Sequence, residues 1–174
     1  KERQTFVTLA FFALVTGVGG GTVRDLLIGA PVFWIHDGGV VCLAVALFAW
    51  FIPTRWWAGR FLSIADGLGL AAYAVLGSAK ALQYGVPPVP AALMGVITGC
   101  VGGIIRDVVA GRPSILMRPE LYVTAAALSA SLTVLGDVAG IMREWVWVGA
   151  TAAGYGLRLA AIRWNLALPA YQRD

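Results

Sequence analysis

Long apolar runs alternate with short polar stretches along most of the chain. Most runs approach the roughly 20 helical residues that a hydrocarbon core of about 30 Å requires. They lack the period-two alternation of membrane β-strands, and backbone groups in lipid must be satisfied within each segment. The pattern therefore predicts six membrane helices, near residues 5–28, 38–53, 62–82, 89–110, 121–138 and 145–163. The second run is short, and an earlier start near Phe33 fits it as well.

Composition supports lipid as the main solvent of the chain. Of its 174 residues, 59% are hydrophobic and 13% are charged, and the mean hydropathy is +0.80. Soluble domains carry about 25% charged residues. The connecting stretches, such as "IPTRWWAGR" at 52–60, are too short to separate independent domains. We therefore expect one integral membrane domain over residues 1–174.

The basic residues are scattered and form no stripe, so the net charge of +4 does not predict nucleic-acid binding. Most of them fall on the side of the membrane where the N-terminus lies, whereas the opposite loops offer only Arg143. By the positive-inside rule, the N-terminal side is cytoplasmic. The pattern predicts a multi-pass protein of the cytoplasmic (inner) membrane with its C-terminus in the cytoplasm.

An internal repeat organises the chain. "VTGVGGGTVRDLLIGAP" at 15–31 recurs as "ITGCVGGIIRDVVAGRP" at 97–113, an offset of 82 positions. A helix precedes the second copy, and its counterpart would lie before residue 1. A full repeat thus has three helices. Because three is an odd number, the second copy crosses the membrane in the opposite orientation, as in many proteins that transport solutes.

The predicted fold is therefore an all-α membrane protein with an inverted repeat of three-helix units and a final helix. The complete protein would have seven helices, of which six are readable and the first is missing. The expected boundaries are 1–61 for repeat one, 62–140 for repeat two and 143–163 for the last helix.

The repeated glycines allow two interpretations. Three glycines at 19–21 weaken a helix by about 1 kcal/mol each, and a bent or unwound helix would turn its carbonyls towards a translocation path. Close packing of neighbouring helices is the alternative. The candidate pore residues are Gly19, Gly20, Gly21, Gly99, Gly102, Gly103, Thr16 and Thr98.

Each glycine motif is followed by charges, Arg24–Asp25 in the first and Arg106–Asp107 in the second. They either anchor the helix ends at the membrane surface or guard the two mouths of a path. Adjacent residues on a helix do not face each other, so each arginine is expected to find a partner on another helix.

Three further candidates lie on the helix before the second motif. Asp66 is expected to cap its N-terminus, Lys80 to extend to the outer interface, and Ser78 to offer a polar oxygen to the path.

No catalytic constellation is readable, so an enzyme is not expected. "GVGGGT" matches neither the dinucleotide fingerprint nor a P-loop, and a single histidine predicts no metal site. We expect no cofactor. Cys42 and Cys100 lie in apolar runs, where packing is the expected role.

The segments "GVGGGTVRDLLIGAPVFW", "DGLGLAAYAVLGSAKAL", "VGGIIRDVVAGRPSILMRPELY" and "LRLAAIRWNLALP" resemble the prokaryotic trimeric intracellular cation (TRIC) channel family. That family is also labelled a glycine transporter domain family. The resemblance implies a homotrimer with one pore per subunit, conducting monovalent cations and preferring potassium. It implies helices kinked at Gly19–Gly21 and Gly102–Gly103.

The residues alone leave three functions open: a passive cation channel, a secondary transporter of a small amino acid such as glycine, and an assembly factor without transport. Glycine-interrupted helices in both halves argue against the last. The resemblance favours the channel, whose partners would be monovalent cations, membrane lipids and further copies of the chain.

Overall fold

The computed structural model describes residues 6–36, 60–111, 113–114 and 121–167. Within these ranges the chain forms α1 (Phe6–Leu27), α2 (Phe33–His36), α3 (Arg60–Gln83), α4 (Pro88–Val109), α5 (Val123–Val138) and α6 (Arg143–Trp164). The five long helices agree within two residues at each end with predicted apolar runs, which confirms the all-α prediction. The run at 38–53 lies outside the described residues, although α2 begins at Phe33, the proposed early start.

The two repeated motifs end their helices in the same way. α1 ends at Leu27 and α4 at Val109, which are 82 positions apart. Gly29 and Gly111 follow with φ angles of 68° and 62°. Glycine adopts this left-handed conformation without the steric penalty that a Cβ atom brings, and it commonly terminates helices.

α4 lies at the centre of the bundle and packs against α1, α3 and α5, while α6 packs against α3 and α5. The core between α3, α4 and α5 consists mainly of small side chains, including Ala74, Cys100, Ala125, Ala126 and Ala130. Small residues allow close approach of helices in lipid, where apolar burial alone gives little driving force.

The outer surface of the described bundle is apolar enough to face lipid. α4 has both the length and the mean hydropathy, 1.8, of a membrane-crossing helix, and α5 is apolar but shorter. Large apolar side chains such as Val7, Leu93, Leu135 and Val148 are exposed on the outer faces of four helices. Lipid removes the cost that water would impose on this surface.

Candidate functional site

The two glycine motifs meet where α1 crosses α4. A Cβ atom added to Gly20 would collide with the carbonyl oxygen of Thr98, and one added to Gly102 would collide with the carbonyl oxygen of Thr16. Thr98 and Gly102 are the counterparts of Thr16 and Gly20 at the repeat offset of 82 positions, so the two contacts are equivalent and reciprocal. A twofold relation between the motifs produces such reciprocity. The crossing therefore brings backbone against backbone and leaves no room for an ion between the two helices there.

Four further glycines of the motifs also face neighbouring elements. A Cβ atom would come within 3.0 Å of Ile105 at Gly19, Phe33 at Gly21, Leu70 at Gly99 and Tyr122 at Gly103. Both helices stay α-helical through the motifs. No turn of α1 or α4 is unwound at these glycines, which pack closely against their neighbours. A bend at the glycines stays a prediction.

The threonine hydroxyls have equivalent local partners. Thr16 Oγ1 donates a hydrogen bond of 2.6 Å to the carbonyl of Phe12, and Thr98 Oγ1 donates one of 2.6 Å to the carbonyl of Met94. Each hydroxyl oxygen keeps lone pairs for another partner. Ser78 is fully buried, and its Oγ has no hydrogen-bond partner among the described residues. The interface of α3 and α4 thus contains polar oxygens in an apolar bundle.

The charges of the first motif form a cluster with α3. Asp25 is fully buried, and its Oδ1 lies 2.7 Å from Arg24 Nη2 and 2.8 Å from Lys80 Nζ. Its Oδ2 accepts a hydrogen bond of 3.0 Å from the backbone N–H of Phe33. This set, Arg24, Asp25 and Lys80, is the Lys80-end cluster. Its carboxylate is satisfied by two cations and one amide, which is how a buried charge is tolerated.

The charges of the second motif form a cluster at the other end of α3. Arg106 Nη1 lies 3.1 Å from Asp66 Oδ1, and Arg106 Nη2 lies 3.0 Å from Asp107 Oδ1. This set, Arg106, Asp66 and Asp107, is the Asp66-end cluster. Fourteen residues separate Asp66 from Lys80, which corresponds to about 21 Å along a helix. Arg24 and Arg106 therefore lie at opposite ends of the bundle, as the inverted repeat predicts.

The structure bears on three predictions about these charges. Asp66 does not cap α3, because the helix begins six residues earlier at Arg60. Lys80 binds the carboxylate of Asp25, a contact that the sequence did not predict, and its extension to the outer interface stays a prediction. Each arginine binds the aspartate next to it on its own helix. Arg106 also binds Asp66 on α3, as predicted, whereas Lys80, which shares Asp25 with Arg24, carries the same charge as Arg24. The rule about adjacent residues describes Cβ directions, and the long arginine side chain curls back far enough to bind its neighbour.

Arg158 is a buried residue that the sequence reasoning missed. It is 2% exposed and is the largest fully buried side chain among the described residues. Its guanidinium carbon lies 5.3 Å from the centroid of the Tyr122 ring, and its Cγ packs against Gly67, the neighbour of Asp66. An arginine within the last apolar run, six residues before the end of α6, was the available signal, since intramembrane charge is rare and commonly functional.

The arrangement offers paired charges, hydroxyls and backbone oxygens. In the described ranges, no group of three or more His, Cys, Asp or Glu is placed to hold a metal ion. Such a site suits the passage or binding of a small charged solute.

Known proteins resemble this chain in sequence and in fold. Residues 1–54 and 63–137 match the model of a family described as "Glycine transporter". A UPF0126 membrane protein of Vibrio cholerae is 39% identical, over 91% of this chain and 69% of its own. The UPF0126 inner membrane protein YadS of Escherichia coli K12 is 35% identical, over 100% of this chain and 87% of its own.

Solved structures share the fold. The TRIC trimeric intracellular cation channel orthologue from Rhodobacter sphaeroides superposes with a TM-score of 0.79 and is 37% identical. The match covers 92% of this chain and 98% of that one. A second structure, described as a TRIC cation channel, gives a TM-score of 0.85 at 21% identity, covering 98% of this chain and 86% of its own.

Proposed function

The chain belongs to the UPF0126 family, whose model is described as "Glycine transporter", and we propose that it is a cation channel of the inner membrane. It conducts monovalent cations, prefers potassium, and forms a homotrimer with one pore in each subunit. We propose no catalytic activity for it. The observation that carries the proposal is the 37% identity to the R. sphaeroides channel orthologue across 98% of that chain.

The two charge clusters weaken an objection to cation conduction. Unpaired arginines near the ends of a path would repel cations. Here Arg24 is bound to Asp25, and Arg106 is bound to both Asp66 and Asp107. Paired charges have short-range fields, so the carboxylates offset the repulsion from the arginines, and Lys80 leaves one surplus positive charge in the Lys80-end cluster.

The crossing of α1 and α4 restricts where the path runs. No ion passes between Gly20 and Thr98, because a methyl group would already collide there. The path therefore runs beside the crossing, where the oxygens of Thr16 and Thr98 keep free lone pairs. Hydroxyl and carbonyl oxygens replace part of the hydration shell of a conducted cation.

A secondary transporter of a small amino acid such as glycine is the second candidate, favoured by the description of the matching family model. An arginine and an aspartate suit the carboxylate and the ammonium of a zwitterion. In this structure, however, each such arginine and aspartate bind each other, at 2.7 Å and 3.0 Å. A zwitterion would have to break those contacts before it bound, which weakens this candidate.

Single-channel recording of the purified full-length protein in planar bilayers tests the proposal. In a potassium chloride gradient we expect unitary currents that reverse near the potassium equilibrium potential. Native mass measurement in mild detergent should give three copies. Saturable glycine uptake into vesicles without unitary currents would instead establish the transporter, and monomers alone would contradict the trimer.

We further propose the topology inferred from the repeat: repeat one at 1–61, repeat two at 62–140, the last helix at 143–163 and the C-terminus in the cytoplasm. The opposite positions of the two charge clusters along α3 support the inversion. Labelling of single cysteines placed at Gly29 and Gly111 checks it, since an impermeant reagent should reach only Gly29→Cys from outside the cell.

A further inference from the structure

A cavity of about 170 Å³ opens between α3, α5 and α6. Engineered cavities of about 150 Å³ hold a benzene molecule, so this one has room for a small group and not for a whole lipid. The polar groups that line it are Gln83, Thr133, Asp137 and Arg143, and its apolar wall includes Ile141 and Trp147.

The cavity has an electrically negative side and a positive side. α3 ends at Gln83 and α5 ends at Val138, and the carboxylate of Asp137 lies beside these two C-termini. Helix C-termini carry partial negative charge, so this side attracts a cation. Thr133 Oγ1 donates its proton to the carbonyl of Ser129, at 2.8 Å, and its oxygen remains an acceptor.

The opposite side of the cavity is the start of α6. Arg143 is the first residue of this helix, and no side chain caps its N-terminus. The unbonded N–H groups of a first helical turn carry partial positive charge and, together with a guanidinium, form a favourable place for an oxyanion. The guanidinium carbon of Arg143 lies 5.8 Å from the ring centroid of Trp147, which orients it.

The surroundings of the cavity are those of a membrane–water interface. Trp145 is 71% exposed and Met142 is 66% exposed, and both lie within or next to the first turn of α6. Tryptophan and arginine concentrate at the level of lipid headgroups. A ligand that presents an ammonium and an oxyanion a few bonds apart, with an apolar tail beside them, fits this position.

We propose that this cavity binds the headgroup of a phospholipid that carries a phosphate and a primary ammonium, the phosphoethanolamine type. The phosphate binds Arg143 and the first turn of α6. The ammonium binds Asp137 and the Thr133 oxygen, and the acyl chains follow the apolar surface at Ile141. The site is separate from both charge clusters, so it does not depend on whether the protein is a channel or a transporter.

Native mass spectrometry of the full-length protein tests the proposal, with phosphatidylethanolamine, phosphatidylcholine and phosphatidylglycerol offered at equal concentration. We expect phosphatidylethanolamine to be retained at least fivefold over each of the other two. Choline has no N–H to donate to Asp137, and glycerol has no positive charge. Arg143→Gln and Asp137→Asn should each lower this retention about fivefold, and together they should abolish the preference.

Both side chains are exposed, so the substitutions leave the core intact, and thermal unfolding verifies this. Arg163→Gln, an exposed arginine at the other end of α6, is the matched control and should leave the preference unchanged. Equal retention of phosphatidylglycerol, or wild-type retention by both variants, would overturn the proposal. Displacement of the lipid by millimolar free phosphoethanolamine or glycine would show that the ligand is a soluble zwitterion.

Discussion

Substitution of Gly20 by alanine is the sharpest test of the α1–α4 crossing. The added methyl group would collide with the carbonyl oxygen of Thr98, which is backbone and cannot rotate away. Overpacking of this kind costs about 1–3 kcal/mol, and a rigid obstacle places it near 3. Alanine recovers about 1 kcal/mol of helix propensity. We therefore expect Gly20→Ala to lower the free energy of unfolding by about 2 kcal/mol.

Gly17 supplies the matched control, because it lies one turn earlier on α1 and nothing lies within 4 Å of its added Cβ. Gly17→Ala should gain the propensity term of about 1 kcal/mol without the collision. For a chain of this length, a loss of about 2 kcal/mol lowers the melting temperature by roughly 4–8 °C. Thermal unfolding in mild detergent measures the difference between the two variants.

Gly102→Ala should behave as Gly20→Ala does, and the pair should be non-additive. Either methyl group forces the same two helices apart, so the second collides less, and a coupling of at least about 0.5 kcal/mol is expected. Conductance of the double variant should fall while trimers persist, because the Thr16 and Thr98 oxygens move apart. If Gly20→Ala melts at the same temperature as Gly17→Ala, the reciprocal contact does not exist in the protein.

Three further substitutions test buried contacts of the bundle by thermal unfolding. Lys80→Met removes one of the two cations bound to Asp25, and because Arg24 remains it should lower the free energy of unfolding by about 2 kcal/mol. Lys80→Arg should lower it by less, and an equal loss of stability in both variants would refute the ion pair. Arg158→Lys loses the stacked guanidinium and should cost about 1–2 kcal/mol, and wild-type stability would contradict this. In Gly154→Ala the added Cβ would lie 2.8 Å from the carbonyl oxygen of Ala125, which should lower the free energy of unfolding by about 1–3 kcal/mol. In Gly156→Ala the added Cβ has nothing within 4 Å, so no such loss is expected.

The repeat offset predicted more of the site than any single motif did. Once 82 positions were known to separate equivalent residues, similar helix ends and opposite positions for Arg24 and Arg106 followed. The structure adds a contact that the offset implies but does not specify, the reciprocal packing of Gly20 and Gly102. Sequence periodicity identifies equivalent positions, and packing decides which of them touch.

The partners of the charged residues were harder to predict, because they depend on side-chain reach and helix register. Nothing in the spacing of Lys80 shows that its ammonium turns inward to a buried carboxylate. Asp66 resembled a helix cap because it precedes a glycine-rich run, yet the helix starts a turn and a half earlier. Helix boundaries shift by a few residues with tertiary context, and a cap assignment depends on them.

The electrostatics of the bundle explain why a buried arginine belongs to the last helix. The Lys80-end cluster contains two cations and one carboxylate, whereas the Asp66-end cluster contains one cation and two carboxylates. The surplus negative charge at the Asp66 end arises because α3 supplies an aspartate there and a lysine at its other end. Arg158 adds a positive charge beside Gly67, the neighbour of Asp66, and over Tyr122, and so offsets the surplus negative charge of the Asp66-end cluster. A helix outside the repeat thus offsets the negative surplus at one end of α3, where an unbalanced charge would be costly in a low-dielectric interior.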